Sequence, residues 1–355
     1  MHSNTLTYAQ SGVDRDTREK AKKFGLFEKG LPKGAIKTPY CTLLPSNQNR
    51  NYYYNLSTDG VGTKVLLAEL AGKHDTIGID AVAMVANDAI RCGAAPLDIV
   101  DAIDINHSEP ELLSQIIGGI QAGAELAGSR IVGGETADVP LLINGLGNNP
   151  YHINCSCYAE VEKKRIITAT KCKPGNAVIG LRSSGLHSNG LSLARRALFK
   201  EWGGAYAPFD VPEGLDKPIV LEALTPTALY SKQFLLVAKK FEILAAANIT
   251  GDAYGKLKKI SEYSPIGFAL DNFSPQPIFS LIQSAAQKRG GRITDEEMFR
   301  TFNMGWGFAL VANKGDAAGI CREFGKLKVH AEIIGKATGK KGAVEIEREG
   351  KKLVL

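Results

Sequence analysis

No stretch of this chain stays apolar for the ~18–20 residues that a membrane-spanning helix needs. A bilayer-embedded protein is therefore not expected. The segment from Met1 to Arg18 is polar and lacks the apolar core of a signal peptide, which points to the cytoplasm. None of the six cysteines (41, 92, 155, 157, 172 and 321) stands in a Cys-X-X-Cys pair, so a zinc ribbon or a redox dithiol motif is not indicated. In Cys155-Ser156-Cys157 the two sulfurs are expected to face opposite ways along a strand, and free buried thiols in a reducing compartment are the default. Charge of one sign is also scarce. The net charge is only +6, and the lysine clusters (256, 258, 259, then 340, 341, 351, 352) are not interleaved with aromatic rings that could stack on bases. A solvated basic face that attracts small anions fits better than a nucleic-acid surface, and no nucleic-acid or membrane partner is expected.

What is present is ordinary globular material. The 355 residues are 44% hydrophobic and 23% charged. Single cores stop growing near ~250–300 residues, so this length predicts two domains. The fold class expected is α/β (α+β), with an N-terminal domain over 1–165 and a C-terminal domain over 166–355. A polar helix is predicted from Asp14 to Phe24, followed by the linker Gly30-Leu31-Pro32-Lys33-Gly34. Strand-like residues 52–56 come next, then a helix from Asp80, taken as its N-cap, to Cys92 before Gly93. A strand over 97–105, a helix from Glu109 to Leu126 with Pro110 at its start and Gly128 past its end, and a short strand over 130–132 follow. After the strand 155–161 a seam is expected near 162–168. The second half restarts with a strand over 177–181 and a helix over 189–199. No fixed-period repeat appears.

One segment concentrates polar chemistry: Ser57-Thr58-Asp59-Gly60-Val61-Gly62-Thr63-Lys64, directly after a strand. Glycines let a backbone approach a ligand and adopt positive φ. A carboxylate can hold a hard cation and a lysine can meet a phosphate. The Walker order is absent, so this is not a P-loop, and taken alone the segment is equally well an ordinary glycine turn. On its helix Asp88 lies beside an apolar stripe, either paired with Arg91 or shared with Asp59 around a divalent ion. Gly133-Gly134-Glu135-Thr136 follows a strand, where ligands gather in open sheets, and is otherwise a strand-end turn. Ser183-Ser184-Gly185-Leu186-His187-Ser188-Asn189-Gly190 precedes an amphipathic helix whose N-terminus favours anions and would keep His187 neutral. No Ser-His-Asp arrangement is evident. Phe299 to Phe308 alternates glycine with large apolar residues, like a buried strand, with Asn303 either facing a ligand or packing. Thr250-Gly251-Asp252-Ala253 either binds a phosphate or turns the chain before Lys256.

These segments, in this order, resemble the aminoimidazole ribonucleotide synthetase (phosphoribosylformylglycinamidine cyclo-ligase) family over nearly the whole chain, from about Tyr8 to Ile346. The match runs through Tyr8 to Asp14, Asp59 to Lys64, Thr76 to Asp80, Asn87-Asp88, Gly133 to Ala137, Ser183 to Gly190, and Arg300 to Gly305. The resemblance implies two α/β domains and a homodimer whose N-terminal sheets pair into a barrel-like core. It implies ATP and Mg²⁺ as cofactors, and a small nucleotide as substrate. ATP would phosphorylate the formyl oxygen of formylglycinamidine ribonucleotide, and an amidine nitrogen would then close the imidazole ring. By that resemblance Asp59, Lys64 and His187 would be catalytic. Asp59, Gly60, Gly62, Thr63, Lys64, Asp88, Gly133, Gly134, Glu135 and Thr136 would bind ATP, with Asp59, Asp88 and Glu135 on the metal. Ser184, Gly185, His187, Ser188, Asn189, Thr250, Gly251 and Asn303 would meet the substrate.

Two departures stand out. The family loop Thr-Gly-Gly-Gly reads Thr250-Gly251-Asp252-Ala253 here, and the Asp252 carboxylate would repel a substrate phosphate. The segment from Tyr40 to Tyr54 also differs. A thiamine-monophosphate kinase-like enzyme of the same superfamily and a non-catalytic nucleotide-binding regulator are the competing readings. The first would not be expected to carry both the His-Ser-Asn-Gly and Arg-Thr-Phe-Asn segments. The second is disfavoured by the intact Asp59, Lys64, Asp88 and Glu135.

Overall fold

The computed structural model describes residues 4–14, 17 and 30–355. The polar helix expected from Asp14 to Phe24 lies outside the described residues apart from Asp14 and Thr17. Two large sheets, one in each half of the chain, carry the architecture.

The N-terminal sheet has six strands. They are β2 (Ile36–Lys37), β3 (Thr42–Pro45), β4 (Tyr52–Gly60), β5 (Ala95–Ile105), β6 (Arg130–Asp138) and β7 (Tyr151–Glu162), following β1 (Asn4–Thr5) in the chain. Their spatial order is β2-β3-β4-β7-β5-β6, with only the β5/β6 pair parallel. Residues of β7 alternate strictly between buried and half-buried. That period of two places one face on a core and leaves the other open. Cys155 and Cys157 both fall on the buried face, so their sulfurs share a side. The expectation that they face opposite ways is wrong, because residues two apart on a strand point the same way.

Three α-helices follow in this half among residues 30–165: α1 (Val65–Ala71), α2 (Ile77–Ala89) and α3 (Pro110–Ala127). α2 packs on β4 and β7 and against α3. Gly78, Gly119 and Gly123 lie at the α2/α3 crossing, where an added methyl at Gly78 would sit 2.2 Å from the Ile120 backbone nitrogen. α3 starts with Pro110 and stops at Gly128, φ 79°, as its sequence signals indicate. α2 departs from expectation. It begins at Ile77, and Asp80 is not its N-cap but a fully buried residue of the first turn.

The C-terminal sheet has seven strands: β8 (Ala177–Arg182), β9 (Ile243–Asn248), β10 (Gly267–Leu270), β12 (Trp306–Ala312), β13 (Ala331–Thr338), β14 (Val344–Arg348) and β15 (Lys351–Val354). The order is β15-β14-β10-β13-β8-β12-β9. β9 and β12 are buried at every position, so helices or the other half cover both faces. The short β11 (Gly291–Arg292) pairs with β1, tying the N-terminus to the second half. Phe299, Arg300 and Thr301 end a helix, Asp295–Thr301, and only from Trp306 does the chain become a strand. The single buried strand expected over 299–308 is thus a helix end, a turn and a strand start. Its glycines serve the turn (Gly305, φ 101°) and close packing (Gly307). Among the described residues, no helix is long and apolar enough to cross a membrane.

Candidate active site

A cleft of about 810 Å³ opens between the two halves. From the N-terminal half it is lined by the end of β4 and the following turn, Asp59, Gly60, Gly62 and Thr63. From the C-terminal half come Ser188, Asn189, Thr250, Gly251, Asp252 and Lys256. The segment Thr7–Asp14 and the helix residues Glu297 and Arg300 contribute to its rim.

The glycine turn is built for close approach. A methyl at Gly60 would lie 2.2 Å from Asn154 Oδ1 and 2.8 Å from the Ile153 carbonyl, so this position must be bare for β4 to stay paired with β7. Gly62 is different: space there is open, but φ is +56°, a region that side chains with a Cβ disfavour. The exposed Asp59 carboxylate accepts a hydrogen bond from Gly60 N at 2.8 Å. Partial enclosure in the cleft raises its pKa, and the charge of Asp88 adds to this, while Lys256 and Arg91 oppose it. Asp88 is more heavily committed. Its Oδ2 pairs with Arg91 at 2.6 Å, and its Oδ1 accepts from Asn248 Nδ2 at 2.9 Å. The Arg91 pairing weighed from sequence is therefore present.

Lys64 does not reach the cleft. Its side chain is fully buried, and its ammonium donates to Asp80 Oδ1 and to the Thr225 carbonyl, both at 2.8 Å. Asp80 Oδ1 also accepts from Ser188 Oγ (3.0 Å), Thr227 N (2.7 Å) and Thr227 Oγ1 (2.5 Å). Burial pulls the Lys64 pKa down and Asp80 pulls it back up. The ion pair lies within the N-terminal half, and its hydrogen bonds to Thr225, Ser188 and Thr227 tie it to the C-terminal half. With its ammonium held there, Lys64 does not meet a nucleotide in the cleft, contrary to expectation.

His187 is also structural in its contacts. It is 1% exposed, at φ 60°, with Nε2 accepting from Ser184 N at 3.1 Å and Ala228 N at 3.4 Å. Burial, reinforced by the nearby Lys64 charge, drives its pKa down to about 3. The ring lies against Gly307, where a methyl would meet His187 Cε1 at 2.3 Å. The helix expected over 189–199 begins only at Leu191 and runs to Leu198 (α4), after Gly190 at φ 74°. The residues ahead of it are a loop whose far end, Ser188 and Asn189, faces the cleft. Ser184 is turned away, its Oγ donating to the Pro226 carbonyl at 2.5 Å. Asn303 is buried too, its Nδ2 donating to the Gly185 carbonyl at 2.8 Å while its Oδ1 accepts from Gly305 N. Ser184, Gly185, His187 and Asn303 thus shape the loop from behind. Asn189 lies next to the second loop, its Oδ1 3.6 Å from where a Cβ on Gly251 would be, and its buried Nδ2 has no hydrogen-bond partner among the described residues.

The Gly133–Thr136 segment is no turn. It lies inside β6, the exposed sheet edge. Asp59 pairs with Cys155, Cys155 with Asp101, and Asp101 with Gly134, three strand spacings or ~14 Å in all. Glu135, one residue on, points to the opposite face. Within one chain Glu135 therefore cannot share an ion with Asp59 and Asp88. Among the described residues no group of three or more His, Cys, Asp or Glu is gathered as a metal site.

Sequence reasoning treated Lys256 only as part of a solvated basic face or a phosphate-side loop. The structure places its side chain in the cleft, donating to Thr250 Oγ1. Burial lowers its pKa to about 8, against the attraction of Asp88 and Asp59. The residue falls three positions after Ala253, at one turn of the 3₁₀ helix Ala253–Glu262, a spacing that returns it to the same side as the loop. Asp252 and Ala253 both have positive φ, 68° and 38°. The loop keeps a glycine-like backbone although two glycines are replaced.

The AIR synthase related protein N-terminal domain model matches residues 41–161, and the corresponding C-terminal domain model matches 173–347. A Methanocaldococcus jannaschii protein named phosphoribosylformylglycinamidine cyclo-ligase is 38% identical over 98% of this chain and 95% of its own length. A Pyrococcus furiosus protein of the same name is 41% identical over 88% of this chain and 89% of its own. Among solved structures, a hydrogenase maturation protein HypE in complex with ATP aligns with a TM-score of 0.60, covering 99% of this chain and 97% of that one at 16% identity, and so shares the fold. With both domain models in sequence and full-length relatives of one name, the chain belongs to the AIR synthase family, among its phosphoribosylformylglycinamidine cyclo-ligases.

Proposed function

We propose that this ligase closes formylglycinamidine ribonucleotide to 5-aminoimidazole ribonucleotide in purine biosynthesis, consuming ATP and releasing ADP and phosphate. The reading rests on the interdomain cleft, which juxtaposes Asp59 and the Gly60–Thr63 turn with the Ser188-Asn189 and Thr250-Gly251 loops. The named relatives and an ATP complex of the same fold support it.

The chemistry is a positioning problem. The formyl oxygen attacks the γ-phosphorus, and the bond to the ADP oxygen breaks with its electron pair. An amidine nitrogen then attacks the former formyl carbon, and phosphate departs. Such transfers need alignment and charge neutralisation more than covalent help. Gly60 and Gly62 leave the backbone of this turn bare at two positions, with Val61 buried in the core between them, and that suits the polyphosphate. Asn189, whose Nδ2 has no hydrogen-bond partner among the described residues, supplies a donor to the substrate side, while Ser188 lines the cleft with its hydroxyl held by Asp80.

Mg²⁺, when bound, neutralises phosphate charge, and Asp59 with Asp88 are the carboxylates suited to hold it. The donor set fits, since Mg²⁺ takes one or two carboxylates with waters and substrate phosphates rather than a protein cage. Asp59 is exposed in the cleft with one backbone donor on it, leaving lone pairs for a ligand.

The same reading places the chain in the cytoplasm as a homodimer. Leu56 (68% exposed), Val100 (41%) and Val132 (59%) leave apolar surface on the N-terminal sheet, on the side away from α2, and β6 is an unpaired edge. Pairing of two such sheets would cover both features. It would also bring Gly133–Thr136 of one chain against its partner.

The deciding assay supplies purified protein with formylglycinamidine ribonucleotide, ATP and Mg²⁺. ADP should appear in step with aminoimidazole ribonucleotide. Phosphate transfer to thiamine monophosphate without ring closure would overturn the assignment.

A further inference from the structure

Phosphoryl transfer in this cleft calls for a cation, and the lysine of the glycine turn cannot supply it. Lys64 is fully buried, with its ammonium held by Asp80 and a carbonyl. Three cationic side chains among the described residues line the cleft: Lys256, Lys258 and Arg300. Arg300 is ion-paired with Glu296 at 3.0 Å on the rim, and Lys258 is exposed. Arg91, close by, is held by Asp88 and lies over the Tyr40 ring at 5.0 Å.

Lys256 alone combines position with support from both halves. Its ammonium donates to Thr250 Oγ1, in the loop that faces Asn189. Its backbone carbonyl accepts from Tyr40 Oη at 3.0 Å, so the β2–β3 connection of the N-terminal half holds it in place. Tyr263 Oη repeats that tie by donating to the Thr38 carbonyl at 2.9 Å. Across the cleft the charge of Lys256 is attracted by Asp88 and Asp59. The lysine also lies four residues after Asp252 and offsets the negative charge that this loop has in place of a family glycine.

We propose that Lys256 contacts the transferred phosphoryl group and neutralises the charge it develops, in place of Lys64, which the family resemblance implied as the catalytic lysine. This rests on the ATP-dependent ring closure proposed above. The ammonium stays protonated throughout; it donates hydrogen bonds to the γ-phosphoryl oxygens as the bond to ADP breaks and the bond to the formyl oxygen forms. Thr250 orients it, and Tyr40 fixes its backbone.

The test compares wild type, Lys256→Met and Lys256→Arg in steady-state turnover, in binding of a non-hydrolysable ATP analogue by calorimetry, and in thermal melting. A donor that acts in the transition state is worth about 10²–10³ in kcat. Lys256→Met should lose that much in kcat with its melting temperature unchanged and analogue affinity within about tenfold of wild type. Lys256→Arg, which keeps the charge but not the shape, should recover at least ten times the Met rate. If Lys256→Met does not fold, Lys256→Gln is judged by the same criteria. A folded, uncharged variant within threefold of wild-type kcat overturns the proposal, as does an Arg variant no faster than Met. So does a loss confined to KM, which would make Lys256 a ground-state anchor only. Absence of ring closure by the wild type overturns the underlying functional reading instead.

Discussion

Two lysines, Lys64 and Lys256, meet opposite fates, and their surroundings explain why. Lys64 follows the Gly60–Thr63 turn yet points beneath it into a seam with Asp80, Ser188 and Thr227. Lys256 comes from a loop in the other half and ends in the open cleft beside Thr250. A charge enclosed without water must be matched by fixed partners, and Lys64 has two, the Asp80 carboxylate and the Thr225 carbonyl. Such a group is fixed by the fold and unavailable to a ligand. A cation in a cleft with one hydroxyl partner and two carboxylates across the gap keeps donors to spare. Proximity to a glycine turn in sequence is thus a weak guide to which cation serves the site.

The comparison can be broken at several points, and the largest effect is expected at Lys64. Lys64→Met strands the Asp80 carboxylate in the seam and should destabilise the chain by about 3–5 kcal/mol, read from urea unfolding. Retained stability would mean that the seam tolerates the loss and that the pair is not its fastener. Next is Asp59→Asn. Because the Asp59 carboxylate is exposed and, among the described residues, accepts only from Gly60 N, melting should stay put, while turnover should drop about 10²–10³-fold, the scale seen when one electrostatic group is removed from a transition state. Unchanged turnover would remove Asp59 from the site.

His187 sharpens the contrast through pH. Its pKa is near 3 in the folded chain, below the ~6.5 of an unfolded histidine, so between those values the unfolded state binds more protons. Stability should rise with pH across roughly pH 3–6.5 on its account and be flat in that respect above it. The groups facing it are the Lys64 charge, which adds to the effect, and the Tyr230 ring at 6.5 Å. His187→Gln should flatten the acid limb of a urea-midpoint-against-pH curve; an unaltered slope would place the proton uptake elsewhere. The smallest effect concerns the turn. Gly62→Ala meets open space and should cost only the left-handed backbone penalty, about 1–2 kcal/mol, whereas Gly60→Ala must push β4 off Asn154 and should cost more. Equal costs by thermal melting would contradict the packing assigned to Gly60.

Much of the frame was legible because its signals are local. Pro110 and Gly128 bracket α3, and the strand read over 155–161 lies within β7, which runs further at its start to Tyr151. The glycine turn and the order of the motifs identified the family before any contact was known. The remainder depended on long-range pairing. Asp80 has the composition of an N-cap, but the partners that bury it, Lys64, Ser188 and Thr227, lie 16, 108 and 147 residues away. Glu135 looked like a turn residue because glycines precede it, yet pairing with β5 extends the strand through those glycines to Asp138. His187 and Asn303 hold the loop that presents Ser188 and Asn189, a division of labour that residue types alone do not encode. Lys256 had a usable signal, its one-turn spacing from the replaced glycine loop, but a cluster of neighbouring lysines masked it.

The most direct measurement of the central claim follows ADP and aminoimidazole ribonucleotide formation, with formylglycinamidine ribonucleotide supplied, by wild type and by Asp59→Asn. The account predicts matched product formation by the wild type and a loss of at least a hundredfold in a variant that melts at the wild-type temperature. ADP formation that is indifferent to formylglycinamidine ribonucleotide, or insensitive to Asp59→Asn, would contradict it.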